Sequence, residues 1–271
     1  MTQNDALDIL KTGANVFLTG EPGSGKSHTV NAYVAYLRSC GIDPAVTAST
    51  GIAATHIGGM TIHSWSGIGV ANAISGDEAI MISARRKIRK RLYDARVLII
   101  DEVSMLSAAT LAMVDTVCRT GRERDDPFGG LQTVLVGDFF QLPPISREGG
   151  KAFFAYTSDV WRALNPVICY LTEQYRQDDP AYLSILSAIR ANRFAPAHRE
   201  EIFRQKRASK DVPDDVPKLF SHNADVDRIN TDRLGTLPGH PTVFYMEASG
   251  PVALVETLKR NCLSPESLAL K

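Results

Sequence analysis

One stretch constrains this chain more than any other: Gly20-Glu21-Pro22-Gly23-Ser24-Gly25-Lys26-Ser27. An apolar run, Val16-Phe17-Leu18-Thr19, leads into it. Behind it, residues 27–39 place Val30, Val34 and Leu37 at spacings of four and three, which predicts a helix with one buried face. The glycines let successive backbone N–H groups turn inward around an anion, and the positive end of the following helix adds to the attraction. The spacing G-x-x-x-x-G-K-[ST] between a strand and a helix is the phosphate-binding loop of a nucleotide site. All eight residues form its wall. Lys26 is expected to reach the β and γ phosphates, and the Ser27 hydroxyl to ligate Mg²⁺. A tight turn with an incidental lysine is the plainer alternative, and the flanking elements argue against it.

Short apolar runs alternate with longer amphipathic stretches along the chain, the pattern of an α/β fold with a parallel sheet flanked by helices. Further strands are expected at Ala45–Ser49, Val97–Ile100 and Val134–Val136. Each ends in small or polar residues: Ser49-Thr50, Asp101-Glu102, Gly137-Asp138. Open α/β sheets bind ligands outside the carboxyl ends of their strands, so these tips mark a site. Between the second and third strands, residues 66–94 change texture, with a Gly/Ala/Ser-rich stretch and then the basic run Arg85 to Arg91. This reads as a wedge-like insertion at the sheet's edge. The 271 residues allow roughly one to two domains. The apolar run Val167–Leu171 reads as the start of the second, giving domains at 1–165 and 166–271, with Leu219-Phe220 and Val243-Phe244-Tyr245 as further strands.

Composition sets the outer limits. Lys+Arg and Asp+Glu are both 30, which excludes a permanently cationic nucleic-acid coat but not a local phosphate-gripping patch. Cys40, Cys118, Cys169 and Cys262 are far apart, and the six histidines are scattered, so neither a disulfide framework nor a zinc site is expected. No apolar run approaches the roughly 18–20 residues of a membrane helix, and the start lacks the order of an export signal. An intracellular protein, cytoplasmic in a bacterium, is the expectation.

The run Leu98-Ile99-Ile100-Asp101-Glu102 supplies the second half of the nucleotide site. An apolar strand delivers Asp101 to the Mg²⁺ shell. Side chains alternate at a strand end, so Glu102 points elsewhere and can orient and deprotonate a water. A nucleotide kinase has no use for such a carboxylate, and the pair favours hydrolysis over transfer.

Three further segments carry a resemblance. Thr47 to Ala54 together with Ile57 to Trp65, Asp101 to Leu106, and Gly137-Asp138-Phe139-Phe140-Gln141-Leu142-Pro143-Pro144 closely resemble successive motifs of the Pif-family DNA helicases. Glu173-Gln174-Tyr175-Arg176-Gln177 resembles the motif that opens their second RecA-like domain. The resemblance runs from about Gln3 to Gly239 and implies a P-loop NTPase with a RecA-like sheet and an incomplete second RecA-like domain. It implies an ATP- and Mg²⁺-dependent motor moving 5′→3′ on single-stranded DNA and opening duplex junctions, in repair, recombination and telomere maintenance.

Carried onto matching positions, the resemblance makes Gln3 the adenine-reading glutamine, Gln141 the γ-phosphate contact and Arg176 the arginine finger. It places Thr50, His63 and Ser64 on the DNA path, where hydroxyl and imidazole groups bond phosphate without reading sequence. Trp65 and Phe139 offer ring faces on which bases stack, with Phe140 beside them. An ordinary loop amide, a surface ion pair and core aromatics are the corresponding plainer readings. The family's last two motifs have no counterpart before Lys271. Two readings stay open: a helicase, or a truncated nucleotide- and DNA-binding module with ATPase but no unwinding activity.

Overall fold

The central apolar runs, Val16–Gly20, Val97–Asp101 and Gln132–Val136, form strands because they are rich in β-branched and aliphatic residues and are almost wholly buried. In a computed structural model of the chain, residues 1–69, 71–144, 153–175, 177–208, 211–213, 216–250, 252, 255–256, 259 and 266–271 are described. Residues 146–150, Arg176 and Cys262 lie outside them. Two units divide at Phe203 and Arg204.

In the first unit, β1 (Val16–Gly20), β2 (Ala45–Ala48), β3 (Met60–Thr61), β4 (Val97–Asp101), β5 (Gln132–Val136) and β6 (Val167–Leu171) form one sheet in the order β3-β2-β4-β5-β1-β6. Every pairing is parallel. Alternation along each strand splits the side chains between two layers, as a sheet covered on both faces requires. Val16, Leu18, Val97, Ile99, Val134 and Val136 pack against α1 (Gln3–Lys11) and α2 (Lys26–Ser39). Phe17, Leu98, Ile100 and Leu135 face the other layer.

That second layer corrects two expectations. Residues 66–94 do not form a wedge at the sheet's edge. Beyond the short α3 (Gly51–His56) and α4 (Ile62–Ser66), they fold into α5 (Gly76–Ala84) and α6 (Arg86–Asp94). Ala79, Ile82, Ile88 and Leu92 of this pair join the same core as Leu111 and Val114 of α7 (Ala108–Arg122). Their apolar face needs burial, and the sheet's helical layer supplies it. Nor does Val167–Leu171 open a second domain. It pairs with β1 from Val16↔Val167 to Gly20↔Leu171 and completes the first sheet. The boundary expected at 165/166 falls instead after Phe203, beyond α8 (Asp159–Leu164), α9 (Pro180–Arg190) and most of α10 (Pro196–Arg204).

The second unit contains, among its described residues, α11 (Asn223–Thr236) and an antiparallel pair, β7 (Thr242–Tyr245) with β8 (Ser267–Leu270). The strand expected at Val243–Tyr245 is β7. Leu219-Phe220 forms no strand. Among the described residues, no helix is long and apolar enough to cross a membrane.

Candidate nucleotide site

The carboxyl ends of β1, β4 and β5 bring the site together. Gly20 closes β1 so tightly that a Cβ there would lie 2.6 Å from Ser24 Oγ and 2.7 Å from the Leu171 carbonyl oxygen. Gly25 caps α2 at φ +87°, a left-handed conformation that costs an L side chain about 1–2 kcal/mol. A Cβ on Gly25 would also overlap the side-chain amide of Gln3. Gln3 stands at the start of α1, which Thr2 and Asp5 hold in a reciprocal capping box. Its amide donates to the Ser24 carbonyl oxygen at 3.4 Å, so the expected adenine-reading residue does lie against the loop. The exposed Ser27 occupies the first turn of α2, where backbone N–H groups lack partners within the helix.

The Lys26 ammonium donates to the carbonyl oxygens of Gly20 at 2.9 Å and Glu21 at 3.1 Å. Burial pushes its pKa below the ordinary lysine value, against the pull of Asp138, Glu102 and Asp101. The three acids therefore share the Lys26 environment. Burial likewise raises Asp101 and Glu102 above the usual carboxylate range, and Asp101 raises Glu102 further. Asp101 accepts the Glu102 N–H at 2.8 Å, and Glu102 itself sits at φ 53°. A non-glycine residue is uncommon there, and such strain concentrates at functional positions. The kink separates Glu102 from the strand, and the next α-helix begins only at Ala108, capped by Ser107.

The residues fit a magnesium-bound triphosphate. The glycines leave a cradle that Cβ atoms would fill, and the hydroxyl of Ser24 is buried without a hydrogen-bond partner. The buried hydroxyls of Ser49, next to Asp101 in the sheet, and of Ser104 are also unpartnered. Gln141 joins the same side of the site through Asp138. Its amide approaches Asp138 Oδ2 at 3.4 Å, and its N–H donates to the Asp138 carbonyl oxygen at 2.9 Å.

Sequence reasoning missed Arg190 at the end of α9, which forms a 2.6 Å ion pair with Asp138, a carboxylate only 1% exposed. It also missed that Gln174 and Ser187 both donate to the Glu21 carboxylate, at 3.0 and 3.2 Å. Ser187 and Arg190 are three residues apart on one helical face, a spacing that could have singled them out. Arg176 lies outside the described residues.

The expected DNA contacts separate into two groups. Ser64 is exposed, and His63 is half-buried, its pKa lowered by burial. Thr50 caps α3 by accepting the Ala53 N–H at 3.3 Å. Trp65 and Phe139, however, do not offer free ring faces. Trp65 is 4% exposed in the core beneath α5 and α6. Phe139 is half-buried and packs against Phe17, Tyr156, Phe154 and Trp161, with ring centroids 4.8–5.8 Å away. Burying large aromatic surface is the stronger demand at both positions. Of the basic run, Arg91 donates to the Ser64 carbonyl oxygen at 2.7 Å and so closes α4, while Lys90 pairs with Asp94.

The sequence model of the PIF1-like helicases matches residues 3–192. The chain belongs to that family. It is 43% identical over 280 residues to the ATP-dependent DNA helicase Pif1 of Psychrobacter, covering all of this chain and 42% of that protein. The crystal structure of Pif1 helicase from Candida albicans superimposes with a TM-score of 0.84 at 31% identity, over 99% of this chain and 62% of that one. Pif1 helicase from Bacteroides in complex with ADP-AlF3 and ssDNA gives 0.75 at 27%, over 99% and 63%. The chain thus spans about two fifths of the length of the curated relative.

Proposed function

We propose that this chain is the ATP-hydrolysing portion of a 5′→3′ DNA helicase, acting inside the cell on single-stranded DNA and duplex junctions. Repair, recombination and telomere maintenance are the processes such a motor serves. One observation carries the reading: Lys26, rooted in the glycine loop, shares its surroundings with Asp101, Glu102 and Asp138 at adjacent strand tips. Lys26 would leave its loop carbonyls for the terminal phosphates. Ser27 and Asp101 would hold Mg²⁺, which neutralises phosphate charge. Glu102, its pKa raised, is placed to take a proton from an attacking water, while Gln141 addresses the phosphate and Gln3 the base. For Arg176 we propose the finger role, and for Thr50, His63 and Ser64 contact with the DNA backbone. The Bacteroides relative, solved with ADP-AlF3 and ssDNA, supports the pairing of ligands.

Hydrolysis stimulated by a single-stranded oligonucleotide is expected. Lys26→Ala should lower it about 10²–10³-fold, as removal of a preorganised electrostatic contact does. Unstimulated hydrolysis, or a Lys26→Ala variant as active as the parent, would refute the proposal. The alternative, ATPase without unwinding, is favoured by the antiparallel β7–β8 pair, which is not the parallel sheet of a second RecA-like domain. A forked-duplex unwinding assay decides between them.

A further inference from the structure

The contact between α9 and the site is the feature that the motifs above leave unexplained. Asp138 has three bonds to its side chain. Oδ1 accepts the Phe140 N–H at 3.1 Å, and Oδ2 accepts both Arg190 Nη1 at 2.6 Å and the Gln141 amide at 3.4 Å. The Arg190 guanidinium also lies 4.4 Å from the centre of the exposed Phe140 ring, and its side chain is 12% exposed. One guanidinium therefore fixes both the carboxylate and the turn that bears Gln141.

The charges explain why this matters. Asp138 and a terminal phosphate are both anions, and both are drawn to Lys26. An unneutralised Asp138 would compete for the lysine and repel the phosphate. A buried carboxylate with an arginine partner does less of both, since the guanidinium charge opposes its field at Lys26.

We propose that Arg190 is a positioning residue for ATP hydrolysis, neutralising Asp138 and, through it, holding Gln141 ready for the γ-phosphate. The inference rests on the ATPase reading. Arg190 acts on the terminal phosphate's surroundings and leaves the base and the first two phosphates to Gln3 and the glycine loop. ADP therefore reports on the loop alone, and an ATP analogue on the loop plus this device.

The test uses the full 271-residue chain and its Arg190→Gln, Arg190→Lys and Asp138→Asn/Arg190→Gln variants. Fluorescent ADP and a fluorescent non-hydrolysable ATP analogue are titrated, and kcat and KM measured with Mg²⁺ and single-stranded DNA. Arg190→Gln should bind ADP like the parent, lose preference for the analogue, and fall about 10²-fold in kcat, as for loss of one preorganised group. Arg190→Lys should recover part of both. The double variant, with no unpaired buried charge, should bind the analogue better than Arg190→Gln does, a coupling absent for ADP.

Parental preference and kcat in Arg190→Gln would overturn the inference. So would equal loss of both ligands, or a double variant no better than the single one. If Arg190→Gln fails to fold, Arg190→Lys decides: a weaker analogue preference and a lower kcat with intact ADP binding support the role, and parental preference and kinetics exclude it. A parent chain that binds neither nucleotide would instead overturn the ATPase reading itself.

Discussion

Residues 1–203 and residues 204–271 treat their apolar side chains in opposite ways, and the contrast shows why the site lies where it does. In the first unit, the parallel strands have helices on both faces, and Leu18, Leu98, Ile99, Ile100 and Leu135 are fully buried. In the second, Val243, Phe244, Tyr245, Leu268 and Leu270 on β7 and β8 are all exposed, and Leu219 is 98% exposed. A two-stranded pair has no second layer and is marginal by itself. Catalytic geometry needs groups held to within about half an ångström, which only rigid, packed elements provide. Gly20, Asp101 and Gly137-Asp138 sit at the ends of strands whose every residue beneath them is core or nearly so. The site is a consequence of that packing.

The sharpest way to break the comparison is to truncate one large apolar strand residue in each unit. Ile99→Ala in β4 should cost about 2–5 kcal/mol, the transfer energy plus the cavity it leaves. Phe244→Ala, on an exposed strand, should stay within about 0.5 kcal/mol. Urea unfolding followed by circular dichroism measures both. Similar losses would mean that β7 is buried in a way its exposure denies.

A second pair of substitutions separates backbone strain from site geometry. Gly25 and Gly239 both have left-handed φ, at +87° and +97°. Alanine at either should cost about 1–2 kcal/mol locally from the backbone alone. A Cβ on Gly239 meets nothing within 4 Å, whereas on Gly25 it strikes the Gln3 amide. Gly25→Ala should therefore also weaken ADP binding, and Gln3→Ala/Gly25→Ala should not restore it if, as proposed above, Gln3 contacts the base. Gly239→Ala should leave ADP affinity unchanged in the same titration.

Within the first unit, too, legibility was uneven. The glycine loop, the strands and the Asp101-Glu102 pair were readable because each is encoded within a dozen consecutive residues. Arg190 was not. It meets Asp138 across 52 residues, and an arginine at the end of a helix reads as an ordinary complement to the helix dipole. Trp65 and Phe139 were hard to read for the same reason: whether a ring beside a motif is free or packed depends on α5, α6 and the Phe154–Trp161 segment. The place of β6 was hidden because its partner, β1, lies some 150 residues earlier in the chain, a pairing no local pattern specifies.

Burial in the first unit should finally be readable as a small pH effect. His63 is half-buried on α4 and its pKa is lowered by desolvation, so the folded state binds a proton less readily than the unfolded chain. The sign follows from linkage: stability is fully present above the unfolded histidine value near 6.5 and declines as pH falls through the lower folded value. His63→Gln should flatten the pH dependence of Tm between about pH 7 and 5. His240→Gln, at an exposed position in the second unit, is the matched control. If the two variants have the same profile, burial of His63 is not what distinguishes it. If only His63→Gln flattens the curve, then desolvation around α4 acts on stability through that imidazole, on the same short helix that presents Ser64 to solvent.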